Sequence, residues 1–207
     1  MGILENKRRA RLFYRFLAPV YDRINPFVWT TEMRAEALSL LSLSSDDRVL
    51  DVGCGTGFGT AGLLEYSQDI YGIDQSRAQL KQARENIGRF DPVSFMLGDA
   101  ERLPFPDDAF DAVWSSGSIE YWPCPVETLR ELRRVCKPGG QVLVVGPNEP
   151  QSRVGRALAR AIMLFYDRRE AERMFQAAGF VDIEHHLMGP TYRPDIAITS
   201  IARVPES

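Results

Sequence analysis

The sequence contains few of the residues that build metal sites and disulfide frameworks. Its 207 residues include three cysteines and two histidines. The cysteines, Cys54, Cys124 and Cys136, are odd in number, and their spacing matches neither a zinc site nor a disulfide pattern. We therefore expect a reduced, intracellular protein with no metal ion.

Long apolar runs and an excess of basic charge are also missing. No apolar run approaches the ~20 residues that cross a bilayer, and the N-terminus lacks the unbroken apolar stretch of a secretory signal. The net charge of -3 argues against bulk electrostatic binding of nucleic acid. We expect a cytoplasmic protein that either is soluble or rests on a membrane surface without crossing it.

Short apolar runs alternate with helical patterns through most of the chain, and we predict one domain over residues 1–207. Residues 1–44 form a helical cap and residues 45–207 an α/β core with a parallel sheet. The last two apolar runs have no helix between them and are predicted to pair antiparallel at the sheet edge. The predicted strands are RVLDVG, DIYGIDQ, VSFMLGDAE, AFDAVWSSGS, QVLVVGPNEP, VDIEHHLMG and DIAITSIARV. The predicted helices cover residues 3–17, 31–41, 76–87, 126–137, 152–166 and 167–178.

A glycine-rich turn, DVGCGTGFG, follows the first predicted strand. Glycines allow a tight turn and a close backbone approach to a ligand, although dinucleotides, phosphates and sulfonium cofactors all use such loops. The spacing departs from G-x-G-x-x-G, and Asp51 precedes the glycines. A carboxylate at that point binds an ammonium group but repels a pyrophosphate.

Acidic residues also end the next two predicted strands. Asp74 lies ~20 residues beyond the loop, where an acid bridges ribose hydroxyls in this type of fold. Asp99 follows the third strand and is placed to accept a hydrogen bond from an adenine amine. Each acid alone is equally well explained as a helix cap or a turn residue. Together they favour a ligand site in the crevice where the strand order reverses.

The segments VLDVGCGTGFG, YGIDQS, GDAERLPFPDDAFDAVWS and RELRRVCKPGG resemble successive motifs of class I S-adenosylmethionine-dependent methyltransferases. The resemblance covers nearly the whole chain from the first strand on. It implies a Rossmann-like, seven-stranded, mostly parallel sheet with helices on both faces and an antiparallel last strand. It also implies S-adenosylmethionine as cofactor and S-adenosylhomocysteine as product. The implied cofactor contacts are Asp51, Gly53, Gly55 and Gly57 at the methionine end, Asp74 and Gln75 at the ribose, Asp99 and Ala100 at the adenine, and Ser115 nearby.

A narrower resemblance concerns the methyl acceptor. The segment FLAPVYDRINPFVW resembles the entry segment of the C-methyltransferases of ubiquinone and menaquinone synthesis. The closer likeness is to the prenyl quinol C-methyltransferases of chloroplasts and their archaeal relatives. This likeness implies ring methylation of a prenyl benzoquinol or naphthoquinol, in plastoquinone, menaquinone or related synthesis. The chloroplast transit peptide and C-terminal transmembrane tail are missing, so we expect a prokaryotic, archaeal form. The segments that carry the likeness are WTTEMR, GDAERLPFP, SSGSIEYWPCP, VGPNEP, MLFYDRREAERMFQAAGF and MGP.

Quinol chemistry gives the stretch SIEYW a role. A quinol ring becomes a better carbon nucleophile when a phenol loses its proton, so the site needs a proton acceptor beside it. We predict Glu120 as that base, with Tyr121 and Trp122 as aromatic walls. The alternative is that both aromatics are core residues and Glu120 caps the next helix. Further candidates for orienting the quinol are Tyr21, Asp22, Asn148 and Glu149.

Other chemistries are less well supported. His185 and His186 lie in a predicted edge strand, so we expect a structural or surface role for both. The [ND]PP[FY] turn of base N-methylation is missing after the fourth strand. Two readings stay open beside the quinol enzyme. One is an O- or N-methyltransferase that acts on a soluble acceptor, and the other is a non-catalytic protein that binds S-adenosylmethionine.

Two basic, amphipathic segments fit a peripheral position on a bilayer. NKRRARLFYRFL and SRVGRALARAIMLFY both combine several arginines with large apolar side chains. An ordinary surface helix or a homodimer interface explains the same pattern. Because a prenyl quinol lies in the membrane, we expect contact with the inner face of the cell membrane.

Overall fold

A computed structural model describes residues 29–88, 93–148 and 166–206. Within these residues the chain forms a seven-stranded sheet with helices packed against it. The strands are β1 (Arg48–Val52), β2 (Asp69–Asp74), β3 (Val93–Leu97), β4 (Phe110–Ser116), β5 (Cys136–Pro147), β6 (Val181–Met188) and β7 (Ala197–Arg203). The helices are α1 (Thr31–Leu38), α2 (Phe58–Leu63), α3 (Arg77–Ile87), α4 (Pro125–Val135) and α5 (Arg168–Ala178), and a 3₁₀ turn spans Ile119–Tyr121.

The strand order is β3-β2-β1-β4-β5-β7-β6. All neighbours run parallel except β7, which is antiparallel to both β5 and β6. The predicted fold class is therefore confirmed, including the antiparallel pair at the edge. The order reverses between β1 and β4, so the loops after these strands diverge and leave a crevice at their carboxyl ends.

The sheet is apolar on both faces because its central strands are covered by helices on both sides. Along β5, Val142 and Val144 pack in one core cluster with side chains of α4 and α5. The alternate residues Leu143 and Val145 pack in a second cluster with side chains of α1 and α2. Strands buried in this way read as continuous apolar runs rather than as an alternating pattern.

Local capping chemistry sets several of the predicted helix ends. Ser76 caps α3, and Asp167 with Glu170 forms a capping box at the start of α5. Gly179 ends α5 with a φ of 87°, a left-handed conformation that favours glycine. These ends agree with the predicted boundaries.

Two predicted helix ends were too late. The helix predicted over residues 31–41 ends at Leu38. The helix predicted to continue to KPGG ends at Val135, because Cys136 is already extended and pairs with Phe110 of β4. Strand β5 therefore begins at Cys136 and includes the KPGG segment. The register between β4 and β5 shifts between Phe110 and Ala112.

One arginine ties α4 to the loop that follows β3. Arg134 is held by both carboxylate oxygens of Glu131 and donates to the carbonyl oxygens of Leu103 and Phe105, at distances of 2.8–3.1 Å. It also contacts Asp107 at 2.8 Å. The motif RELRRVCKPGG therefore positions the loop that contains the GDAERLPF motif.

We expect the substitution Arg134→Met to lower the free energy of unfolding by about 1–3 kcal/mol, because it leaves two partly buried carbonyl groups and Glu131 without their donor. Denaturant unfolding of the purified variant measures this loss. The matched control is Arg130→Met on the same helix, whose exposed contacts with Glu127 and with the carbonyl oxygen of Ala177 should together contribute at most ~1 kcal/mol. Equal losses of unfolding free energy in the two variants would contradict the role of Arg134 in holding the loop after β3.

Candidate active site

The glycine-rich loop folds back over the end of β2. Gly53, Gly55 and Gly57 have φ values of 72°, 54° and 88°, which other residues adopt only with strain. The N–H groups of Gly53 and Cys54 both donate to the carbonyl oxygen of Ile73, at 2.8 and 3.1 Å. The loop is thus fixed on the neighbouring strand.

Gly59, the fourth glycine of the motif, has a different role. Its φ is not positive, but a Cβ at this position would lie 2.6 Å from Trp114 Nε1 and 3.1 Å from Asp51 Oδ2. Glycine is therefore required for the close packing of α2 on β1 and β4. The indole N–H of Trp114 is buried without a hydrogen-bond partner in the described part of the chain.

Helix α1 supports the loop from outside. Arg34, from the WTTEMR motif, donates to the carbonyl oxygen of Phe58 at 2.8 Å, and its guanidinium lies 4.7 Å from the centroid of the Phe58 ring. Phe58 is the first residue of α2 and directly follows the glycine turn. This motif therefore holds the helix that begins at the loop.

Asp51 is a buried carboxyl at the end of β1. It is 1% exposed, and its Oδ2 accepts a hydrogen bond of 2.7 Å from the Thr60 hydroxyl. Burial raises the pKa of Asp51 to about 7, and the hydrogen bond from Thr60 opposes this shift. An ammonium group beside this carboxyl would favour its charged form, so the residue fits the amino-acid end of S-adenosylmethionine.

Asp74 ends β2 and contacts the glycine loop directly. Its two oxygens accept hydrogen bonds from the backbone N–H groups of Gly55, at 3.0 Å, and Ser76, at 2.8 Å. Burial raises its pKa, against the effect of both bonds. Each oxygen retains a second lone pair for a ribose hydroxyl. Gln75, the next residue, is exposed.

Asp99 and Ala100 follow β3 in a tight turn. The side chain of Asp99 accepts a hydrogen bond of 3.1 Å from the N–H of Glu101, and its backbone forms an isolated antiparallel β-bridge with Arg102. Ala100 packs against the core cluster on the α4 side. Asp74 and Asp99 thus both have the turn role that was weighed in the sequence, and neither caps a helix. This role is compatible with ligand binding, because the parallel register of β1, β2 and β3 brings all three acids to one edge of the sheet.

Two serines connect the end of β4 to β1. The buried Ser115 hydroxyl lies 2.8 Å from the carbonyl oxygen of Val52 and 2.8 Å from the Ser118 hydroxyl. A Cβ on Gly53 would lie 2.5 Å from the Ser118 Cβ, so the glycine loop and the β4 loop touch at this point. The sequence analysis did not single out Ser118. The available signal was its position directly after Gly117 in the SIEYW stretch.

The predicted acceptor loop contains a buried acid. Glu120 is 4% exposed, and its Oε2 has no hydrogen-bond partner among the described residues. Burial raises its pKa to about 7. Tyr121 is half-buried, and Trp122 lies in the core cluster at 6% exposure, which favours the packing role for Trp122. Tyr121 as an aromatic wall stays a prediction.

Tyr166 is a site residue that sequence reasoning did not single out. It is 1% exposed and directly precedes Asp167, the cap residue of α5. Its backbone forms an isolated parallel β-bridge with Asn148, which follows β5. Its hydroxyl has no partner in the described part of the chain. The motif MLFYD contained the signal, but nothing in the sequence placed this tyrosine near Glu120.

Other predicted residues are positioned differently or fall outside the description. Asn148 donates from its side chain to the carbonyl oxygen of Asp195 at 2.9 Å, which ties the end of β5 to the β6–β7 loop. The described ranges do not include Tyr21, Asp22 or Glu149, nor most of the two amphipathic segments.

The two histidines lie in β6, away from this edge. His185 is buried between the Ser200 hydroxyl at 2.8 Å and Glu172 Oε2 at 2.9 Å, and it links α5 to β7. His186 is only partly buried.

No metal site or membrane-spanning helix is found in the described residues. Residues 29–88, 93–148 and 166–206 contain no group of three or more His, Cys, Asp or Glu side chains that could hold a metal ion. No helix described here is long and apolar enough to cross a membrane.

Several solved methyltransferase structures share this fold. The chain superposes on phosphoethanolamine N-methyltransferase 2 of Haemonchus contortus, bound to S-adenosyl-L-methionine, with a TM-score of 0.74 and 19% identity over 85% of this chain and 53% of that one. An S-adenosylmethionine-dependent methyltransferase of Aquifex aeolicus gives a TM-score of 0.68 and 20% identity over 83% of this chain and 89% of that one. These likenesses define the fold.

Residues 50–144 match the family described as "Methyltransferase domain". The 2-methyl-6-phytyl-1,4-hydroquinone methyltransferase 1 of Oryza sativa subsp. japonica is 42% identical over 91% of this chain, and its Arabidopsis thaliana counterpart is 41% identical over 91%. The chain spans 58% and 57% of the lengths of these two chloroplastic enzymes. The demethylmenaquinone methyltransferase of Anoxybacillus flavithermus is 29% identical over 86% of this chain and 90% of its own length. The chain belongs to the class I S-adenosylmethionine-dependent methyltransferases.

The placement of Asp74 leads to a test of the ribose contact. We expect Asp74→Asn to weaken S-adenosylhomocysteine binding about tenfold or more, since a hydrogen bond to a charged group contributes roughly 1.5–3 kcal/mol. Calorimetric titration gives the affinity. The control is Asp69→Asn at the other end of β2, where Asp69 pairs with Arg48 on the surface.

An analogue of S-adenosylhomocysteine without the ribose hydroxyls separates ribose binding from loop damage. It should bind weakly to the parent chain and equally weakly to Asp74→Asn. If Asp74→Asn still discriminated against the analogue as strongly as the parent chain, the ribose assignment would be wrong.

Proposed function

We propose that the protein transfers a methyl group from S-adenosylmethionine to a ring carbon of a prenyl benzoquinol or naphthoquinol. The similarity to the plant and bacterial quinol enzymes supports this substrate class. The observation that carries the proposal is Glu120, a buried carboxyl with a pKa of about 7 whose Oε2 has no hydrogen-bond partner among the described residues. It lies after β4, two residues beyond Ser118, which contacts the glycine loop. Ring methylation requires such a group.

A carboxyl with this pKa fits the work of a general base. It is largely ionised just above neutral pH, yet it is far more basic than an exposed glutamate. The phenol of a quinol has a pKa of ~10, so the transfer of its proton to Glu120 is a modest uphill step. The buried setting also keeps water away from the reacting groups.

The reaction balances with this one base. The O–H bond of the quinol breaks, and the proton passes to the Glu120 carboxylate while electron density moves onto an adjacent ring carbon. S-adenosylmethionine supplies a methyl group on a positively charged sulfur. The ring carbon forms a bond to this methyl, and the electrons of the broken carbon–sulfur bond stay on sulfur. The protonated Glu120 returns its proton to the quinol oxygen, and the carboxylate then takes the proton from the methylated ring carbon and passes it to water. The ring becomes aromatic again, and one proton is released per turnover.

The position of the substrate leads to proposals about location and assembly. A prenyl quinol lies in the bilayer, so we place the protein in the cytoplasm, peripherally on the inner face of the cell membrane. The basic amphipathic segments at residues 3–17 and 152–166 are suited to that contact. We also propose that residues 1–207 form a single domain with a cap at residues 1–44, and that the protein is an archaeal form. We propose further that it forms a homodimer and binds neither a metal ion nor nucleic acid.

The substrate class is tested by transfer of labelled methyl from S-adenosylmethionine to prenyl benzoquinol and prenyl naphthoquinol in liposomes. We expect label on the ring of the reduced quinols and none on the oxidised quinones, because only the reduced ring has an ionisable phenol. The relative rates identify the preferred ring. Absence of transfer to either quinol, with cofactor binding intact, would reject the proposal in favour of a soluble acceptor or a binding protein.

The role of Glu120 predicts a specific pH profile. The kcat/KM for the quinol should fall about tenfold per pH unit below about pH 7, because a protonated carboxyl cannot accept the phenol proton. Glu120→Gln should lower kcat by roughly 100-fold or more and should abolish this acidic limb, with unchanged affinity for the cofactor.

Glu127→Gln is the matched control for this substitution. It replaces an exposed glutamate on α4 and should keep the parental profile. Near-parental turnover of Glu120→Gln would remove this residue from the mechanism.

A further inference from the structure

Two buried polar atoms near the end of β4 lack hydrogen-bond partners among residues 29–88, 93–148 and 166–206. They are Glu120 Oε2 and the hydroxyl oxygen of Tyr166, on side chains that are 4% and 1% exposed. A buried polar atom without a partner costs about 1–3 kcal/mol. Their unsatisfied state suggests that both atoms find a partner only when a ligand is bound.

Gly146 of β5 lies between Tyr166 and the 3₁₀ turn that contains Glu120. A Cβ on Gly146 would lie 2.5 Å from the Tyr166 hydroxyl oxygen and would also collide with Ile119, the residue before Glu120. A backbone β-bridge to Asn148 holds Tyr166 in position. The 3₁₀ turn holds Glu120. The absence of a side chain on Gly146 therefore lets the Tyr166 hydroxyl lie close to the turn that contains Glu120.

The electrostatic surroundings keep the tyrosine protonated. Burial raises the pKa of Tyr166 far above its ordinary value, and the negative charge of Glu120 raises it further. A nearby quinol therefore loses its proton before Tyr166 does. The tyrosine O–H is available to donate a hydrogen bond to the quinol oxygen while negative charge develops there.

We infer that Tyr166 donates a hydrogen bond to the ionising quinol oxygen and stabilises the phenolate from which the ring carbon attacks. This inference rests on the proposed function and adds a second catalytic residue to Glu120. The quinol O–H bond breaks, its proton passes to the Glu120 carboxylate, and Tyr166 keeps its own proton throughout. A ring that served only the core would not need a hydroxyl at this place.

The substitution Tyr166→Phe separates these two roles. Because the hydroxyl has no partner in the ligand-free protein, its removal should leave the thermal unfolding midpoint unchanged or raise it. The kcat/KM for the quinol should fall about 100-fold, as expected for the loss of one donor to a developing oxyanion. The affinity for S-adenosylhomocysteine should not change. Tyr71→Phe, which packs against Phe105 and Phe110 in the same core cluster, is the control and should keep the parental kcat/KM.

A coloured phenol gives a second readout that does not depend on turnover. The ionisation of bound 4-nitrophenol can be followed by its yellow phenolate. In Tyr166→Phe the pKa of the bound phenol should be about one unit higher than in the parent chain, which corresponds to about 1.4 kcal/mol of lost stabilisation.

Each outcome supports or overturns the inference. An unchanged kcat/KM or an unchanged nitrophenol titration in Tyr166→Phe overturns it while the proposed function stands. A lower kcat/KM together with lower thermal stability and weaker cofactor binding also overturns it, since that pattern indicates a packing role. If the parent chain methylates no quinol, the proposed function fails and this inference fails with it.

Discussion

The structure depends on hydrogen bonds that hold the loops after β1, β2 and β4 together at one edge of the sheet. Backbone N–H groups of the glycine loop donate to Ile73 and Asp74, and the hydroxyl of Ser115 bonds to Val52. Because these bonds join three strands, a shift of any one loop would move the acids that line the crevice. The left-handed glycines are the condition that lets the loop reach its partners.

The same edge contains carboxyl groups that are costly to bury. The pKa values of Asp51 and Glu120 rise from 3.8 and 4.5 to about 7 in the folded chain. The folded state therefore binds protons more tightly than the unfolded state. The stability from these two groups is fully present below their unfolded pKa values and is lost as the pH rises through about 7. Above about pH 7 these two buried carboxylates therefore lower the stability of the folded protein, and a cationic or phenolic partner beside them would reduce that cost.

Cofactor binding and acceptor choice are assigned to different parts of the chain. The acids proposed to bind the cofactor lie at the ends of β1 and β2 and just after β3, where the parallel register brings them to one edge of the sheet. The residues proposed to act on the acceptor, Glu120 and Tyr166, lie in the loop after β4 and two residues before α5. A change in the acceptor residues therefore leaves the proposed cofactor acids in place.

The sequence by itself determined the strand pattern, the cofactor loop and the helix caps, because apolar runs, glycine turns and Ser or Asp caps act over a few residues. It also offered Glu120 as the candidate base, which stays a prediction. Only the tertiary structure decided that Glu120 is buried with a pKa near 7, that Trp122 belongs to the core and that Tyr166 faces the same turn. Burial and pKa depend on neighbours that are distant in sequence, and the order of strands in the sheet brings those neighbours together. The KPGG segment shows the same limit, since its place in β5 follows from pairing with β4.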